Sequence, residues 1–421
     1  MSKDIVIVVD AFSSGNQLAP IINKHNLPVV HVFSIANPSS ALMATYYKEH
    51  FIREYTGNVE ELIEKISNDG FVIKAVLPGT ETAISLTDKM TDKLGLSGNK
   101  SISSLQRFNK YEMIEALRRA GVPTTKQIKS LQVNDILEWQ QRENEKKIIV
   151  KPLESAGSDC VFACEDQQDV IHAFHEIIGQ ENQMGGTNIQ VLAQEFLDGD
   201  EFYVNAVSCD KEHFICEVWR YHKKSLHGRD FVYDYNEYIP LDTNDERVTA
   251  LCDYMLQVLD TLDFRYGPSH AEIKITSSGP RLVEIGARLQ GMAAFGINAK
   301  IMGFTPAELT VDSYLSPQDF HQRIANVKRQ PLHARRVFLR SYQSGKLEAI
   351  NYHGEIEKLA SCMYLRWIKQ PGDKLKPTID YFSIPAIVVL AHNDLRQIEK
   401  DYEFIRSFER GNLFVMENDI D

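Results

Sequence analysis

The alternation of strand-like and helix-like segments in the first hundred residues constrains the fold more than any other feature. The continuous apolar run at 4–10, DIVIVVD, is typical of a parallel strand buried on both faces. Similar runs at 27–33 and 71–79 are separated by helix-like segments, one of which is amphipathic and ends at Gly70. A βαβαβ order of this kind predicts an α/β fold with a right-handed parallel sheet. Because no G-x-G-x-x-G motif follows the first run, nicotinamide or flavin binding is not favoured.

From residue 107 onward the pattern changes to short strands and amphipathic helices, which predicts an α+β organisation. Helices are predicted at 109–123, 168–178, 247–262 and 393–408. Hairpins are predicted from the paired runs 146–152 with 159–165, 188–197 with 201–209, and 269–275 with 280–287. The second pair is joined at Asp198-Gly199-Asp200, which is a strong hairpin signal. We therefore expect four regions, at 1–105, 106–190, 191–330 and 331–421.

Composition and charge narrow the class of protein. The chain has 421 residues, of which 43% are hydrophobic and 25% charged, and these values are ordinary for a globular protein. The net charge of −12 argues against broad electrostatic binding of nucleic acid or anionic membranes, although a local basic pocket remains compatible with it. Six cysteines without a C-x-x-C pair, an N-terminal run too short for a signal peptide, and no span of about 20 apolar residues predict a cytoplasmic location.

Two glutamates in the third predicted hairpin are the most informative candidates for chemistry. A turn centred on Ser278 would place Glu272 opposite Glu284, and Lys274 opposite Leu282. The two carboxylates would then share one face at a separation of about 5 Å and would repel each other. Such a pair predicts either a bound cation or a proton held by one group, and Mg²⁺ suits carboxylates that are joined by substrate phosphates. A solvated hairpin face with incidental charges is the alternative interpretation.

Basic residues near this hairpin are candidates for binding anions. Arg288 follows Glu284 by four residues and suits an anionic substrate or intermediate, although a structural salt bridge would also explain it. Lys110 at a helix start and Lys151 at a strand end are candidate phosphate ligands outside any Walker A motif, with solvated surface lysines as the alternative. The small residues at 155–158 predict either a phosphate-binding loop or an ordinary hairpin turn.

In this order, the segments resemble the ATP-grasp superfamily, and specifically the carboxylate–amine ligases that make dipeptides, the L-amino-acid ligases of the bacilysin-synthetase type. The resemblance rests on RFNKYEMIEALRRAGVPTTK, IIVKPLESAGSDCV, AQEFLDGDEFYV and HAEIKITSSGPRLVEIGARLQG, and it extends over nearly the whole chain. It implies an N-terminal βαβ domain that precedes the ATP-grasp fold, a lid or central lobe, a C-lobe that holds the metal site, and a small C-terminal α+β subdomain. These correspond in turn to the four regions given above.

The resemblance also implies roles for individual residues. Nucleotide binding would fall to Lys110, Lys151, Ser155, Ala156, Gly157, Ser158, Gln194, Glu195, Phe196, Leu197 and Glu201. Among these, the residues at 155–158 would close over the triphosphate, those at 194–197 would contact adenine, and Glu201 would accept the ribose hydroxyls. Glu272 and Glu284 would bind magnesium. Arg288 and Lys151 would be catalytic, and Arg288 would steady the acyl phosphate and the tetrahedral intermediate.

The implied reaction uses ATP and Mg²⁺, with two ions expected and Mn²⁺ able to substitute. The γ-phosphoryl group would pass to a carboxylate, and an amine would attack the acyl phosphate to give a dipeptide or related amide, ADP and phosphate. Two positions depart from the common pattern of the superfamily. Gln194 stands where many members have a glutamate, and Gly286 stands where many have a metal-ligating asparagine. The second difference puts one ligand of the second Mg²⁺ in doubt, unless water or a substrate oxygen replaces it.

The substrate side is less constrained by the sequence. Candidate residues for an amino-acid pocket are Glu81, Trp219, Arg220, His270 and Arg288. A predicted loop at 227–238 carries Asp230, Asp234 and Glu237, which could favour a cationic amino acid, and core packing or solvation are the alternatives for these residues. The competing functions are a carboxylase or another acyl-phosphate ligase and, in a different class, a non-catalytic nucleotide-binding regulator. The expected partners are amino acids and ATP, with no nucleic acid or membrane, and a homodimer is possible.

Overall fold

The computed structural model describes residues 3–154, 160–181, 186–226, 229–291, 296–381 and 383–417. Within these ranges the strands form one parallel sheet, a large antiparallel sheet and two smaller antiparallel sheets. No helix in the described part of the chain is both long and apolar enough to cross a membrane.

The N-terminal sheet is parallel, as the alternation of segments predicts. Its elements are β1 (Lys3–Val9), α1 (Leu18–Lys24), β2 (Val29–Phe33), α2 (Ser40–Met43), β3 (Arg53–Thr56), α3 (Val59–Asn68), β4 (Phe71–Pro78) and α4 (Ile84–Leu94). The strand order is β3-β2-β1-β4, with all pairs parallel. The short edge strand β3 is missing from the sequence prediction because its sequence, REYT, is polar and only partly buried. The central strand β1 is buried from Ile5 to Val9, which explains its unbroken apolar run.

The second region is a four-stranded antiparallel sheet covered by two helices. It contains α5 (Lys110–Arg119), β5 (Gln127–Ser130), α6 (Val133–Glu143), β6 (Ile148–Pro152), β7 (Phe162–Cys164), α7 (Gln167–Ile177) and β8 (Val191–Glu195). The strand order is β5-β8-β6-β7. The predicted hairpin of β6 and β7 is confirmed, since Ile148 pairs with Cys164 and Val150 with Phe162. Apolar residues of α6 and α7, such as Trp139 and Phe174, form the core of this region.

The largest sheet has eight strands and continues across residue 330. The remaining elements are β9 (Asp200–Cys209), β10 (Glu212–Leu226), β11 (Arg229–Ile239), α8 (Glu246–Thr261), β12 (Tyr266–Thr276), β13 (Gly279–Gly286), α9 (Ile297–Met302), α10 (Pro306–Leu315), α11 (Pro317–Asn326), β14 (His333–Phe338), β15 (Gly345–Ile350), α12 (His353–Glu357), β16 (Cys362–Trp367), β17 (Lys374–Leu375), β18 (Ala386–His392), α13 (Leu395–Glu409) and β19 (Phe414–Met416). The order is β13-β12-β9-β10-β11-β14-β18-β16, beside a small sheet β17-β15-β19. One face packs on α5 and α8 through residues such as Met113 and Met255.

The predicted hairpin of 188–197 with 201–209 is wrong. Strand β8 belongs to the four-stranded sheet, whereas β9 belongs to the eight-stranded sheet, so the intervening residues connect two sheets. Gly199 has a φ of +143°, and a Cβ atom at this position would overlap the carbonyl oxygen of Ile275. The Asp-Gly-Asp sequence therefore marks a tight passage between the two sheets rather than a two-residue turn. The predicted loop at 227–238 is also wrong, because strand β11 covers most of it.

The hairpin of β12 and β13 is confirmed, with a change of register inside it. Glu272 pairs directly with Glu284, as predicted. Lys274, however, pairs with Arg281 instead of Leu282. The turn is shorter than predicted, since Thr276 pairs with Gly279, and an irregularity follows where Ile273 pairs with Leu282. One residue of β13, between Leu282 and Glu284, therefore has no opposite partner. Because of this extra residue, Leu282 lies in the core while Glu284 lies on the same face as Glu272.

Candidate active site

The paired carboxylates lie at the centre of a group of charged side chains that come from three parts of the fold. Lys110, the first residue of α5, places its Nζ atom 3.1 Å from Glu284 Oε2. Tyr221 donates a hydrogen bond from its hydroxyl to Glu272 Oε1 at 2.8 Å. Lys151, at the end of β6, is 5% exposed, and both carboxylates act on its charge. We call Lys110, Lys151, Glu272 and Glu284 the site cluster.

The two carboxyl groups of the site cluster have opposite tendencies to hold a proton. Burial, followed by the charges of Glu284 and Glu201, raises the pKa of Glu272 to about 7. Burial would also raise the pKa of Glu284, but the ammonium groups of Lys110 and Lys151 outweigh it and lower that pKa to about 2. This is the expected behaviour of like charges that face each other across a hairpin.

The residues present fit a magnesium ion that is completed by other ligands. The described residues contain no group of three or more His, Cys, Asp or Glu side chains that could hold a metal by themselves. Two hard carboxylates on neighbouring strands nevertheless match the way in which Mg²⁺ is usually held, by one or two carboxylates together with phosphate oxygens and water. The raised pKa of Glu272 supports this assignment, because burial and then the charge of Glu284 disfavour its ionised form, and a bound divalent cation would favour that form.

The two lysines both lie near Glu284, and the segments that carry them are joined by a backbone hydrogen bond. The amide N–H of Lys110 donates to the carbonyl oxygen of Leu153 at 3.3 Å, which joins the start of α5 to the end of β6. Burial lowers the pKa of Lys151 to about 8 despite the attraction of Glu284, and Lys110 adds to the lowering. Burial also disfavours the charge of Lys110, but Glu284 and Glu81 raise its pKa above the ordinary value. Phosphate groups beside these lysines would stabilise both ammonium charges.

The small-residue stretch predicted to close over phosphates, Ser155 to Ser158, lies outside the described residues. The residue that precedes it is anchored to the start of α5, because Asn109 donates from Nδ2 to Glu154 Oε1 at 2.9 Å. Asn109 also caps this helix by accepting a hydrogen bond from the amide of Glu112. The stretch therefore follows a fixed point that adjoins both lysines.

The segment predicted to contact adenine runs from β8 into the passage between the sheets. Gln194 is 4% exposed and donates from Nε2 to Gln127 Oε1 at 3.0 Å, while Glu195 accepts a hydrogen bond from the amide of Lys126. The Phe196 ring has ammonium groups 4.7 Å and 5.2 Å from its centre, those of Lys147 and Lys274. Lys274 also donates to the carbonyl oxygen of Leu197 at 3.0 Å. These contacts tie the segment to β5 of the four-stranded sheet and to β12 of the large sheet.

Glu201, the predicted ribose acceptor, is held by two lysines on the same face of the large sheet. Its Oε1 atom lies 2.6 Å from Lys223 Nζ, and its Oε2 atom lies 3.9 Å from Lys274 Nζ. Lys223 and Tyr221 are not among the residues predicted for the site. The alternation of strand β10 could have indicated them, because alternate residues on a strand share a face and Glu201 lies on the neighbouring strand.

A pair of charges from distant parts of the chain lies beside the carboxylates. Arg288 Nε donates to Glu81 Oε2 at 3.1 Å, so the loop after β4 of the N-terminal sheet contacts the end of β13. Gly286, near the end of β13, pairs with His270 of β12. A Cβ atom at Gly286 would lie 3.4 Å from Glu81 Oε2, which means that Glu81 borders the space where a longer side chain would extend. The predicted residues Glu81, His270 and Arg288 are thus brought together.

His270 is held in one neutral form. Burial, with the charge of Arg288 as a further cause, lowers its pKa to about 3. Its Nδ1 atom lies 2.7 Å from Asn205 Oδ1, which can only accept, and Asn205 Nδ2 is directed to the carboxylate of Glu217 at 2.6 Å. The hydrogen atom therefore resides on Nδ1 of His270, and Nε2 is left as an acceptor.

Trp219 and Arg220, also predicted for the substrate pocket, lie on opposite faces of the large sheet, and Trp219 shares the face of Tyr203 and Tyr221. Trp219 is fully buried and donates to Glu217 Oε2 at 2.6 Å. Arg220 points to the opposite face of the sheet from Tyr221, because neighbours on a strand alternate, and it forms an ion pair with Asp200. Asp234 and Glu237 also form ion pairs, with Arg406 and with Arg335. The carboxylates of Asp234 and Glu237 are thus already paired with arginines of the chain, and selection of a cationic amino acid by these residues stays a prediction.

Comparisons with known proteins find one family model that matches part of the chain and one relative that matches nearly all of it. A family model described as the ATP-grasp domain matches residues 144–295. Dapdiamide A synthase from Enterobacter agglomerans is 30% identical over 416 residues, which cover 97% of this chain and 96% of that protein. The chain belongs to the ATP-grasp ligases. Alanine–anticapsin ligase from Bacillus subtilis strain 168 is 22% identical over 370 residues, covering 83% of this chain and 76% of that protein.

A solved structure agrees with the fold of this ATP-grasp ligase. The crystal structure of L-amino acid ligase from Bacillus licheniformis superposes with a TM-score of 0.76 at 16% identity, and each chain is covered to 99%. The predicted fold class and the predicted family of carboxylate–amine ligases are confirmed. Enzymes with this domain bind ATP together with Mg²⁺, which agrees with the chemistry of the site cluster.

Proposed function

We propose that this ligase activates the carboxylate of an amino acid as an acyl phosphate and couples it to the amine of a second amino acid. The products are a dipeptide or related amide, ADP and phosphate. The observation that carries the proposal is the convergence of Lys110, Lys151 and the pair Glu272 and Glu284, beside the contact of Arg288 with Glu81. The name of the related alanine–anticapsin ligase describes the joining of an amino acid to a second compound, and this supports amino acids as the substrate class.

The reaction has two steps. In the first, a carboxylate oxygen of the acyl donor forms a bond to the γ-phosphorus of ATP, and the bond from that phosphorus to the ADP oxygen breaks. In the second, the amine nitrogen of the second substrate attacks the acyl carbon, phosphate leaves, and the nitrogen loses a proton. Positioning and neutralisation of charge supply most of the rate enhancement in phosphoryl transfer.

The site cluster would serve the first step. The ammonium groups of Lys110 and Lys151 offset the charge on the phosphates, and their burial makes each interaction stronger than it would be in water. Glu272 and Glu284 would hold Mg²⁺, which supplies further neutralisation of the phosphoryl oxygens when it is bound. The segment Gln194, Glu195, Phe196 and Leu197 would contact adenine. Glu201 would accept the ribose hydroxyls while sharing its carboxylate with Lys223.

The contact between Arg288 and Glu81 would serve the second step. A guanidinium near the metal ligands can stabilise the charge of the acyl phosphate and of the tetrahedral intermediate. Glu81 can accept a hydrogen bond from the α-ammonium of the acyl donor, and His270 can accept a hydrogen bond at Nε2. A second Mg²⁺ ion, use of Mn²⁺, a cytoplasmic location and a homodimer stay predictions.

The proposal is tested by phosphate release from ATP and Mg²⁺ across all pairs of the standard L-amino acids, with bicarbonate as an alternative substrate. We expect release to depend on amino acids, and mass spectrometry to show a product whose mass equals the two amino acids less one water. Release that responds to bicarbonate and not to amino acids would indicate a carboxylase. ATP binding without phosphate release across the panel would indicate a nucleotide-binding regulator.

A further inference from the structure

Buried arginines in this protein have carboxylate partners, with one exception in the described part of the chain. Arg107, Arg335, Arg340 and Arg406 each lie within 4.0 Å of a carboxylate oxygen. Arg336 is 3% exposed, and none of the described carboxylates lies within that distance. Because an unpaired buried guanidinium is costly, this position is suited to an anion that comes from outside the chain.

The hydrogen bonds of Arg336 are also incomplete. Its one hydrogen bond to a described residue runs from Nη2 to Gln290 Oε1 at the long distance of 3.5 Å, whereas the guanidinium groups of Arg107, Arg340 and Arg406 donate to carboxylates. The Nε atom of Arg336 is buried without a partner among the described residues, as are the Nε atoms of the other four buried arginines. The hydroxyl of Tyr203 and the Oδ1 atom of Asn236 also lie on this face, where Tyr203 is next to both Gln290 and Asn236. Asn236 pairs with Arg336 across β11 and β14, so the groups share one face of the sheet. A buried guanidinium with one long hydrogen bond and no carboxylate partner among the described residues is suited to an external anion.

This position adjoins the candidate active site. Cross-strand pairs place Tyr203 beside Glu272, so the face that carries Arg336 also carries the predicted metal ligands. Gln290, which accepts the hydrogen bond from Arg336, lies two residues after Arg288.

A structural role for Arg336 has to be weighed against a binding role. Glu217 is 1% exposed, lies on the same face, and has no Lys, Arg or His nitrogen within 4.0 Å among the described residues. Its carboxylate is already bonded to Asn205 Nδ2 and Trp219 Nε1, both at 2.6 Å. Arg336 could balance the charge of Glu217 at longer range, and this role makes predictions that differ from those of substrate binding.

We propose that Arg336 binds the carboxylate of the amine-donating substrate, which is therefore an amino acid rather than a simple amine. The inference rests on the proposed function. The carboxylate of the acyl donor is consumed by phosphorylation, so the carboxylate that persists through the reaction is that of the amine donor. A guanidinium is suited to this task because it can donate two parallel hydrogen bonds to one carboxylate.

The test compares three amines in the full-length protein with ATP, Mg²⁺ and the acyl donor found in the phosphate-release screen. The amines are the best amino-acid donor from that screen, its primary amide, and hydroxylamine, which captures an acyl phosphate as a hydroxamate and has no carboxylate. We expect Arg336→Gln to raise KM for the amino acid between about 10-fold and 100-fold. Hydroxamate formation and KM for ATP should not change. The wild-type preference for the amino acid over its amide should disappear in this variant.

Arg335→Gln is the matched control. Arg335 precedes Arg336 on β14, is 8% exposed, and lies on the opposite face, where Glu237 is 3.6 Å away. This variant should keep the wild-type KM for all three amines. An unchanged KM in Arg336→Gln, with the preference for the carboxylate retained, would overturn the inference. A parallel loss of hydroxamate formation would also overturn it, since Arg336 would then serve the shared chemistry.

Thermal unfolding separates binding from structural balance. Arg336→Met should keep or raise the unfolding midpoint, because it removes a buried charge that lacks a partner. A lowered midpoint that Glu217→Gln restores would show that Arg336 balances Glu217, and would contradict substrate binding. The absence of hydroxamate from the wild-type protein with every amino acid would remove the proposed function itself, and with it this inference, so the two failures give different results.

Discussion

The protein buries charge at the site cluster and beneath helix α13, and the two groups are built differently. Beneath α13, Arg406 lies 2.6 Å from Asp234 and 2.5 Å from Glu409, while Arg340 lies 3.6 Å and 3.4 Å from the same two residues. Tyr402 donates to Asp234 at 3.0 Å. We call Asp234, Arg340, Arg406 and Glu409 the α13 cluster. Each of its two arginines contacts both of its carboxylates, and Lys224 adds an ammonium 2.6 Å from Asp234, which is the pattern of a structural network.

In the site cluster the charges are equal in number, but they are poorly satisfied. The pKa of Glu272 is raised by burial and by Glu284, so a proton competes for this carboxylate near neutral pH. The pKa of Lys151 is lowered by burial, so its charge is also disfavoured. A network of buried charges that pair with one another stabilises the fold, whereas a network in which charges are disfavoured is suited to a charged ligand.

The largest expected effect on activity comes from removing one carboxylate of the site cluster. Glu284→Gln removes a predicted metal ligand and the partner of Lys110. We expect turnover to fall by on the order of 10³-fold, because stabilisation of the phosphoryl oxygens is lost. The unfolding midpoint should stay near that of the wild type. Phosphate release and thermal unfolding measure both quantities, and wild-type turnover in this variant would remove the metal assignment.

The largest expected effect on stability comes from breaking the α13 cluster. Arg406→Gln leaves Asp234 and Glu409 buried with fewer positive partners. We expect the free energy of unfolding to fall by about 3–5 kcal/mol, as for other buried pairs that lose one member. Denaturant unfolding measures the change. At a temperature where the variant is folded, kcat/KM should be close to wild type, and a selective loss of activity would break the distinction between the clusters.

His31, a buried neutral side chain outside both clusters, shows how much stability is lost when a buried group without a charged partner becomes ionised. His31 is fully buried and accepts a hydrogen bond at Nε2 from the amide of Ala11, and burial lowers its pKa to about 4. Because the folded pKa lies below the ordinary value of about 6.5, its contribution to stability is complete above pH 6.5 and is lost as the pH falls toward 4. Between pH 7 and pH 5 we expect this contribution to fall by roughly 2 kcal/mol.

Denaturant unfolding at a series of pH values checks this expectation. His31→Gln keeps an acceptor for Ala11 and should flatten the pH dependence, whereas a substitution of the exposed His172 should not. An unchanged slope in His31→Gln would mean that this imidazole is not forced to stay neutral.

The smallest expected effect belongs to an exposed pair. Lys346 lies 2.7 Å from Glu417, and their side chains are 57% and 45% exposed. Lys346→Gln should change the free energy of unfolding by less than about 1 kcal/mol, because water and salt screen the pair. Denaturant titration at low and high salt measures it. A larger loss of unfolding free energy would show that a short distance between two charges stabilises this protein even when the charges are exposed.

Much of the site could be predicted from local sequence patterns. Alternation along a hairpin is a short-range property, and it brought Glu272 opposite Glu284 even though the turn is shorter than predicted. The later irregularity in β13 restored the pairing that the shorter turn would have shifted. The apolar run of β1 identified a doubly covered strand for the same reason, since burial on both faces leaves no alternation.

Other features depend on contacts between distant residues, and local patterns could not supply them. The sequence Asp-Gly-Asp is typical of a turn, but the partner of β8 is decided by the sheet that β6 completes. Arg336 has nothing in its neighbourhood in the sequence that separates it from Arg335. Their difference arises because the two faces of β14 meet different elements, with Glu237 on one side and Gln290 on the other.

The central claim is that Glu272 and Glu284 form an open site for the metal that accompanies the nucleotide. Titration calorimetry of ADP, with and without Mg²⁺, tests it most directly in the wild type and in the double variant Glu272→Gln, Glu284→Gln. We predict that Mg²⁺ tightens ADP binding at least about 10-fold in the wild type and has little effect in the double variant. An equal effect of Mg²⁺ in both proteins would contradict the claim.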